Sequence, residues 1–410
     1  MRNTEWKKPE LLAPGGDLMR AKTAIRYGAD AVYIGGMNYS LRSRASNFTL
    51  EDIAEACRFA KEYGARIHVT VNMIFHDEDY EGLREYLMAL EQAGVTAIIA
   101  ASPYVMRLAK ECAPKLQVHC STQMSITSSE TAKFLKDTLD VDRVVLAREC
   151  TMDEVKAITE NSPVETEAFI HGGMCVNYSG RCTLSNRMTL RDANRGGCAQ
   201  SCRWQYRLYE GEKELTGENR IFTMGSKDLS TAASMYELME AGVSSLKIEG
   251  RMKTEYYIAS VVSGYRHLID AIYEKGAPLS EEELKQYRHE IRRAENRETW
   301  GGFYHEDTGL HSLIYHENSD STVNHDFLGT IESYNTENKV ALIQTRNPFA
   351  KGDRIEVLRP GKDNQSFTVE WIQNEKGEYL EESRSPMRHL YLPIPFAVEK
   401  DDMMRKERVL

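Results

Sequence analysis

Short apolar runs alternate with helical patterns over the first 276 residues of the chain. Eight such runs predict strands: Leu11–Pro14, Ala31–Gly35, Arg66–Asn72, Ala97–Ala101, Leu116–Thr122, Arg143–Arg148, Val164–His171 and Ser245–Glu249. Apolar residues with a period near 3.6 predict helices: Asp17–Tyr27, Leu50–Tyr63, Asp77–Ala93, Pro103–Cys112, Ser129–Leu139, Asp153–Glu160, Leu229–Ala241 and Glu255–Glu274. This series of strand–helix units predicts an α/β protein built on a (β/α)8 TIM-like barrel, with a doubly wound open sheet as the alternative.

The pattern changes near Trp300, and from about His325 onward short strands are broken by turns. A charged helical stretch precedes the change, and its charge alternation indicates a solvated face. We predict a barrel over 1–299, with an excursion after its seventh strand (172–227) and a helical appendage (280–298), a linker (300–324) and a small, barrel-like, all-β C-terminal domain (325–410). The C-terminal domain has either a packing role or a role in holding a substrate such as RNA.

The composition is that of an ordinary globular protein, with 28% charged and 41% hydrophobic residues and a net charge of -10. No apolar run approaches the roughly 18–20 residues that cross a bilayer. The polar N-terminus shows no export signal, so we expect a cytoplasmic protein without a membrane partner. Thiols stay reduced in that compartment, which argues against disulfides.

Four of the eight cysteines lie close together, in the spacing C-x6-C-x15-C-x3-C. They are Cys175, Cys182, Cys198 and Cys202. This density indicates a metal or cluster site. Zinc usually takes tight CxxC pairs, whereas an iron–sulfur cluster accepts thiolates from separate turns, so the spacing favours iron–sulfur and leaves zinc as the second choice.

Arginines surround these cysteines, with six of them and one acidic residue between Arg181 and Arg207. The local formal charge is therefore +5 in an otherwise acidic chain. These arginines either neutralise thiolates and helix ends or bind an anionic ligand or RNA phosphates. For anion binding we single out Arg181, Arg187 and Arg195.

Polar side chains collect where the predicted strands end, at the barrel face that carries chemistry in this fold. Each of them alone is more typical of a barrel layer or a surface, but together they predict a pocket for a small anion. His119 and His171 are candidate proton-transfer groups because histidine titrates near neutrality, and Glu249 is a third catalytic candidate, or simply an ion-pair partner of Lys247. The other substrate-binding candidates are Arg42, Arg44, Asn72, Ser121, Gln123, Arg148, Lys247 and Arg251.

Several familiar hydrolase and nucleotide signatures are absent from the chain. It contains no G-x-S-x-G, no HExxH and no P-loop. The sequence therefore offers a protease neither a recognised nucleophile–base pair nor a protease metal motif.

A specific set of motifs covers most of the chain: PELLAPGGD, YGADAVYIGG, LRSRASNF, VHCSTQ, RVVLARE, FIHGGMCVNYSGRC, NRGGCAQSCRW and LKIEGRMK. Together they resemble the collagenase-like peptidase family U-32, and most of all its bacterial tRNA-hydroxylation branch. One departure is Ser102-Pro103, where relatives often have Asp-Pro.

The resemblance implies properties that the residue pattern does not show. Despite the peptidase name, it implies an iron–sulfur protein, with a 4Fe-4S cluster on the four cysteines, that catalyses an oxygen-independent hydroxylation. The implied substrate is the wobble uridine of tRNA, converted to 5-hydroxyuridine with prephenate as the small anionic co-substrate. Alternatives within the family are an rRNA cytidine, a quinone precursor and the namesake proteolysis, and a family paralogue is a candidate partner subunit.

Overall fold

The computed structural model describes residues 6–41, 47–217, 222–294, 297–305, 309–314 and 325–407. The strands of the first domain are β1 (Glu10–Pro14), β2 (Ala31–Gly35), β3 (Arg66–Val71), β4 (Ala97–Ala100), β5 (Gln117–Cys120), β6 (Arg143–Val145), β7 (Glu165–Gly172), β8 (Tyr209–Glu210), β9 (Lys213–Glu214), β10 (Asp228–Ser230), β11 (Ser245–Ile248) and β12 (Thr299–Trp300). Its helices are α1 (Leu18–Arg26), α2 (Leu50–Glu62), α3 (Leu83–Gln92), α4 (Pro103–Cys112), α5 (Ser129–Leu139), α6 (Met152–Asn161), α7 (Leu184–Thr189), α8 (Met235–Glu240), α9 (Glu255–Lys275) and α10 (Glu281–Arg292).

Eight parallel strands close into a barrel. Strands β1 to β7 pair in sequence order, and β11 pairs with both β7 and β1. That last pairing closes the sheet, so the predicted (β/α)8 barrel is confirmed and the open doubly wound sheet is wrong. In such a barrel the chain crosses between neighbouring parallel strands through helices on the outside, and functional side chains collect at the C-terminal strand ends.

Side-chain caps begin many of the barrel helices. Asp17, Thr49, Ser128, Thr151 and Thr254 each accept a hydrogen bond from a backbone N–H in the first turn of the helix that follows. These caps satisfy donors that a helix start leaves without a partner. They therefore fix the residue at which each helix begins, and with it the length of the loop that joins the helix to the preceding strand.

Two predicted helices are interrupted in the structure. The helix predicted over Asp77–Ala93 is a short 3₁₀ turn at Asp77–Tyr80 followed by α3, because Gly82 between them has a left-handed φ of 73°. The helix predicted over Leu229–Ala241 begins instead as strand β10, which pairs antiparallel with β7. Buried Leu229 belongs to that sheet, and the helical part is a 3₁₀ turn at Ala232–Ser234 followed by α8.

The appendage and the start of the predicted linker pack on the barrel. Leu284 and Ile291 of α10 are buried, and Gly264 of α9 lies so close to Ile291 that a Cβ there would be 2.7 Å from its side chain. Strand β12 pairs with β10, and the Tyr304 hydroxyl donates to the Phe169 carbonyl at 2.6 Å. Apolar burial thus draws residues 299–305 into the barrel domain.

The C-terminal domain is all β and has its own hydrophobic core. Its strands are β13 (His325–Asn335), β14 (Val340–Thr345), β15 (Phe349–Ala350), β16 (Arg354–Leu358), β17 (Gln365–Thr368), β18 (Ile372–Asn374), β19 (Tyr379–Leu380), β20 (Glu382–Ser383), β21 (His389–Pro393) and β22 (Met403–Glu407). Fully buried Arg405 joins the two domains, with Nη2 2.8 Å from Glu290 of α10 and Nε 2.6 Å from Glu356 of β16. None of the helices that the structure describes is both long and apolar enough to traverse a bilayer.

Candidate functional site

A cavity of about 370 Å³ opens at the C-terminal ends of the barrel strands. Its floor contains side chains from the strands themselves, among them Tyr33, Phe169 and Lys247, and its wall contains side chains from the loops that follow. The segment after β7 covers it from above and contributes the four clustered cysteines. A volume of this size is typical of a small-molecule site.

Contacts around Ser179 hold the covering segment against the barrel. The Glu149 carboxylate, just after β6, accepts hydrogen bonds from the Ser179 N–H at 3.0 Å and its hydroxyl at 2.9 Å. The Ser125 hydroxyl donates to the Ser179 carbonyl at 2.5 Å. Gly180 has a φ of 74° and packs so tightly on Gln123 that a Cβ would lie 2.1 Å from its carbonyl oxygen. Only glycine fits this approach, which sets where Cys175 and Cys182 lie.

All four clustered cysteines line the cavity, and none of them forms a disulfide. Burial raises the pKa of Cys202; Arg203 opposes the rise, and Cys175, Cys198 and Cys182 add to it. Because each of these thiols acts electrostatically on Cys202, the four lie near one another. A donor set of four thiolates suits a soft metal or an iron–sulfur cluster.

The four thiols come from separate stretches of the segment after β7. In the part of the chain that the structure describes, no three His, Cys, Asp or Glu side chains converge on a single-ion site. One zinc ion needs each sulfur about 2.3 Å away, which demands close convergence. Four thiols that line one cavity are a donor set that suits a polynuclear iron–sulfur group as well as a single soft metal.

Arg203 ties two cysteine-bearing stretches to the barrel sheet. Its guanidinium donates to the Met174 carbonyl at 3.2 Å, to the Ser226 carbonyl at 3.3 Å and to the Asp228 carboxylate at 3.0 Å. Met174 precedes Cys175 and Arg203 itself follows Cys202 in the sequence, while Asp228 begins β10. This arginine, absent from the predicted site, fixes the spacing between two of the thiols.

Seven predicted residues come together at the cavity: Asn72, Ser121, Gln123, Arg148, Lys247, Glu249 and Arg251. The Arg148 guanidinium lies 3.8 Å from the centre of the Phe169 ring, a cation–π contact. The Asn72 amide lies 3.5 Å from the Ser121 hydroxyl. Asn72 and Ser121 are thus neighbours in space although β4 and its helix separate them in the sequence.

Three charged cavity residues are held by polar partners. Lys247 donates to Glu167 at 2.7 Å, so the suggested pairing with Glu249 is not the contact that the structure shows. The Tyr33 hydroxyl donates to Glu249 at 3.0 Å. Buried Arg251 donates to the Ser40 hydroxyl at 2.9 Å, and its planar group lies against Gly35. These contacts hold the charges rigidly at the cavity.

The two histidines predicted to transfer protons lie away from the cavity. His119 is fully buried inside the barrel, edge-on to His68, and burial, with nearby Arg143, holds its pKa well below the usual range. His171 packs against Tyr265 and Tyr257 of α9, and burial lowers its pKa to about 3. Both are neutral and enclosed, so the structure does not support their catalytic roles.

The other predicted arginines divide by their contacts. Arg195 donates to the Ile74 carbonyl at 2.7 Å and to Asp79, so its charge is already compensated and the predicted anion-binding role is not supported. Arg181 and Arg187 are exposed outside the cavity, and Arg181 contacts the Ser125 hydroxyl at 3.3 Å. Arg42 and Arg44 lie outside the described residues.

Arg191 is a cavity residue that the sequence reasoning did not select. It lines the cavity, and its Nε is buried with no hydrogen-bond partner among the described residues. A buried donor without a partner is costly unless a ligand satisfies it. The signal was present in the sequence, because Arg191 is one of the six clustered arginines, but its neighbours gave no reason to prefer it.

The closed parallel barrel, the cavity with four thiols at its mouth and the separate β-domain define the class: a barrel protein with a thiol-lined site. The model of peptidase family U32 matches residues 16–313, and that of the family's C-terminal domain matches residues 323–405. The chain belongs to peptidase family U32.

Curated relatives carry different functional names. The tRNA hydroxylation protein P1 of Bacillus subtilis (strain 168) is 44% identical over 98% of this chain and 95% of its own length. The 23S rRNA 5-hydroxycytidine C2501 synthase of Escherichia coli (strain K12) is 42% identical, over 66% of this chain and 41% of that protein. A collagenase of Porphyromonas gingivalis (strain ATCC BAA-308 / W83) is 37% identical over 72% of this chain and 73% of its own length.

Proposed function

We propose that this chain is an iron–sulfur RNA hydroxylase that converts the wobble uridine of tRNA to 5-hydroxyuridine, with prephenate as co-substrate. The observation that carries the proposal is the cavity at the barrel mouth, where four thiols lie beside fixed cations. The similarity to a tRNA hydroxylation protein along nearly the whole chain supports tRNA as the partner. A protein acting on tRNA would work in the cytoplasm, and a family paralogue remains a candidate subunit.

Cys175, Cys182, Cys198 and Cys202 would hold the cluster, for which we propose the 4Fe-4S type. Such a cluster would supply one-electron chemistry beside the substrate. The protein contributes the spacing of the thiols, through Arg203 and Ser179, and a partly buried setting for Cys202. Zinc remains the alternative metal.

The cations around the cavity would bind the small anion. Arg148 and Arg191 have planar guanidinium groups that match carboxylates, and prephenate carries two of them. Lys247 lies at the floor beside Tyr33 and Phe169, with its Nζ 4.6 and 5.3 Å from the two ring centres. Glu249, fixed by the Tyr33 hydroxyl, is the carboxylate placed to accept or return a proton at its Oε2.

Mass spectrometry of tRNA tests the activity. A strain that lacks this gene and any redundant paralogue would be complemented with the wild-type gene, with C202S or with C120S. Cys120 is buried in β5 and does not line the cavity, so C120S is the matched control. We expect 5-hydroxyuridine and its derivatives with wild type and C120S and none with C202S. Unchanged 5-hydroxyuridine in the deletion strain would overturn the proposal.

Metal analysis tests the cofactor independently of the activity. The protein would be purified without oxygen and its iron, sulfide and zinc contents measured, together with its absorption spectrum. We expect iron and sulfide in near-equal amounts and a brown protein. A colourless protein with one zinc and no iron would refute the cluster assignment.

The family's namesake proteolysis is the competing activity, and one relative is named a collagenase. No histidine is among the residues that line the cavity in the described ranges, so its hydroxyls and thiols lack the usual base. Gelatin and casein incubated with the pure protein, with and without a chelator, should remain intact. Metal-dependent cleavage would favour the protease, and loss of a 5-hydroxycytidine in place of 5-hydroxyuridine would favour rRNA as substrate.

A further inference from the structure

Leu190, at the end of α7, is an apolar side chain that packs on nothing. It is 94% exposed, more than any other large hydrophobic residue that the structure describes. Its φ of 55° is left-handed, a region that bulky residues rarely adopt. Two unfavourable features at one position, an exposed leucine and a strained backbone, are typical of a residue that acts on a partner.

The backbone around Leu190 is held firmly although its side chain is not. Asn186 of α7 accepts a hydrogen bond from the Ala193 N–H at 3.1 Å, which closes the loop that contains Leu190. The Asn194 amide donates to the Cys182 carbonyl at 3.0 Å, which joins the same loop to the thiol site. The backbone that carries the Leu190 side chain is therefore held at a fixed position relative to the cavity.

Arginines lie on both sides of Leu190 in the sequence. Arg187 is exposed and Arg191 lines the cavity, and neither forms an ion pair with a carboxylate in the described part of the chain. Two other arginines of this segment contrast with them, because Arg195 and Arg203 are paired to Asp79 and Asp228. The surface at Leu190 thus has uncompensated positive charge, which suits a polyanion and disfavours an apolar protein surface.

We propose that Leu190 is a wedge that inserts into the base stack of an RNA loop and directs the adjacent, extruded pyrimidine into the cavity. Enzymes that act on a base must take it out of its stack, and apolar side chains inserted between bases are a common way to do so. Arg187 neutralises a phosphate of the RNA loop outside the cavity. Arg191 lines the cavity that receives the extruded nucleotide. This inference rests on the proposed RNA hydroxylase function and names how its substrate is held.

Binding of a synthetic anticodon stem-loop tests the wedge. The RNA would carry 2-aminopurine beside the target uridine, so that fluorescence reports unstacking, while anisotropy reports affinity. We expect L190A to weaken binding about tenfold, the size expected from losing most of a leucine's burial, and to abolish the fluorescence rise. M387A is the matched control, because Met387 is also apolar, 60% exposed and at a positive φ of 60°, but lies in the C-terminal domain.

The salt dependence of binding tests the flanking charge. R187Q should lower the slope of log K against log salt by about 0.7, the effect of one lost phosphate contact on a single strand. R207Q should leave the slope unchanged, since Arg207 is also exposed but lies 3.3 Å from Glu214.

Three results would contradict the wedge. If L190A and M387A bind RNA like wild type while C202S still abolishes modification in cells, the wedge is wrong and the hydroxylase function stands. If wild type binds no RNA and the deletion strain keeps its 5-hydroxyuridine, both proposals fail. If L190A changes the oligomeric state and not RNA binding, the exposed leucine serves a protein contact instead. The thermal midpoint of L190A should match wild type, because Leu190 contributes no packing.

Discussion

Both ends of the barrel interior are rich in charged residues, but at one end the charges pair with one another and at the other they face a cavity. At the N-terminal end, Arg143 contacts Glu10 at 2.6 Å and Glu167 at 3.1 Å, and Arg66 reaches the other oxygen of Glu10 at 2.6 Å. His68 completes this layer as a neutral group, because burial, despite the nearby carboxylates, lowers its pKa to about 4. Opposite charges compensate one another inside a packed interior.

At the C-terminal mouth the charges face a cavity instead. Burial, with the neighbouring thiols, raises the pKa of Cys202 there, and Arg191 keeps a buried donor without a partner among the described residues. Lys247 belongs to both regions, since it pairs with Glu167 and also lines the cavity. A buried charge is therefore better evidence of a functional site where it lies beside space for a ligand, as Arg191 does.

The largest expected effect comes from removing a thiol at the mouth. C202S should lower hydroxylation more than about a hundredfold, because a cluster with three thiolates is incompletely held, and iron content should fall with it. Its free energy of unfolding, measured by urea titration of the metal-free protein, should stay close to that of wild type. A C202S protein with the same iron content as wild type would contradict a metal-holding role for the thiols at the C-terminal mouth of the barrel.

The opposite behaviour is expected at the N-terminal end. R143M removes one of the two cationic partners of each of the buried carboxylates Glu10 and Glu167, which should cost about 3–5 kcal/mol of stability. R187M at the rim is the control and should change stability by less than about 0.5 kcal/mol. Urea titrations of both variants provide the measurement. Equal stabilities would mean that the buried ion network is not structural.

The histidines sharpen the comparison through pH. Burial lowers the pKa of His171 to about 3, below the 6.5 of an unfolded histidine. A group with a depressed pKa binds protons on unfolding, so its stabilising effect is complete above pH 6.5 and is lost as pH falls through about 3. Between pH 6.5 and 4 the free energy of unfolding should fall less steeply in H171F than in wild type. The difference in slope should correspond to about one proton fewer taken up on unfolding. A slope equal to that of wild type would contradict a buried neutral His171.

The smallest expected effect distinguishes Arg195, which is paired with a carboxylate, from Arg187, which is not paired with one among the described residues. R195Q removes the contact with Asp79, a partly buried ion pair near the surface, and should cost about 1 kcal/mol. RNA affinity and its salt slope should not change, in contrast to R187Q. A lower salt slope in R195Q would return Arg195 to the anion-binding surface.

Much of the molecule could be predicted from the sequence, because it depends on neighbours along the chain. The period of apolar residues indicated all eight barrel strands, and cysteine spacing indicated the thiol site that the cavity now contains. Breaks at Gly82 and at β10 were missed, since a left-handed glycine and a sheet partner outweigh helical periodicity. Seven of the predicted polar residues line the cavity because barrel strands end at one face.

The sequence by itself determined the barrel, the β-domain and the grouping of four thiols with arginines. The tertiary structure decided which charges remain available. Arg143 finds Glu10 across 133 residues of chain and Arg195 finds Asp79 across 116, whereas Arg191 finds no carboxylate among the described residues. Such partners come from strands and loops distant in sequence, so the role of each arginine, and the burial of His119 and His171, follow only from the closed barrel.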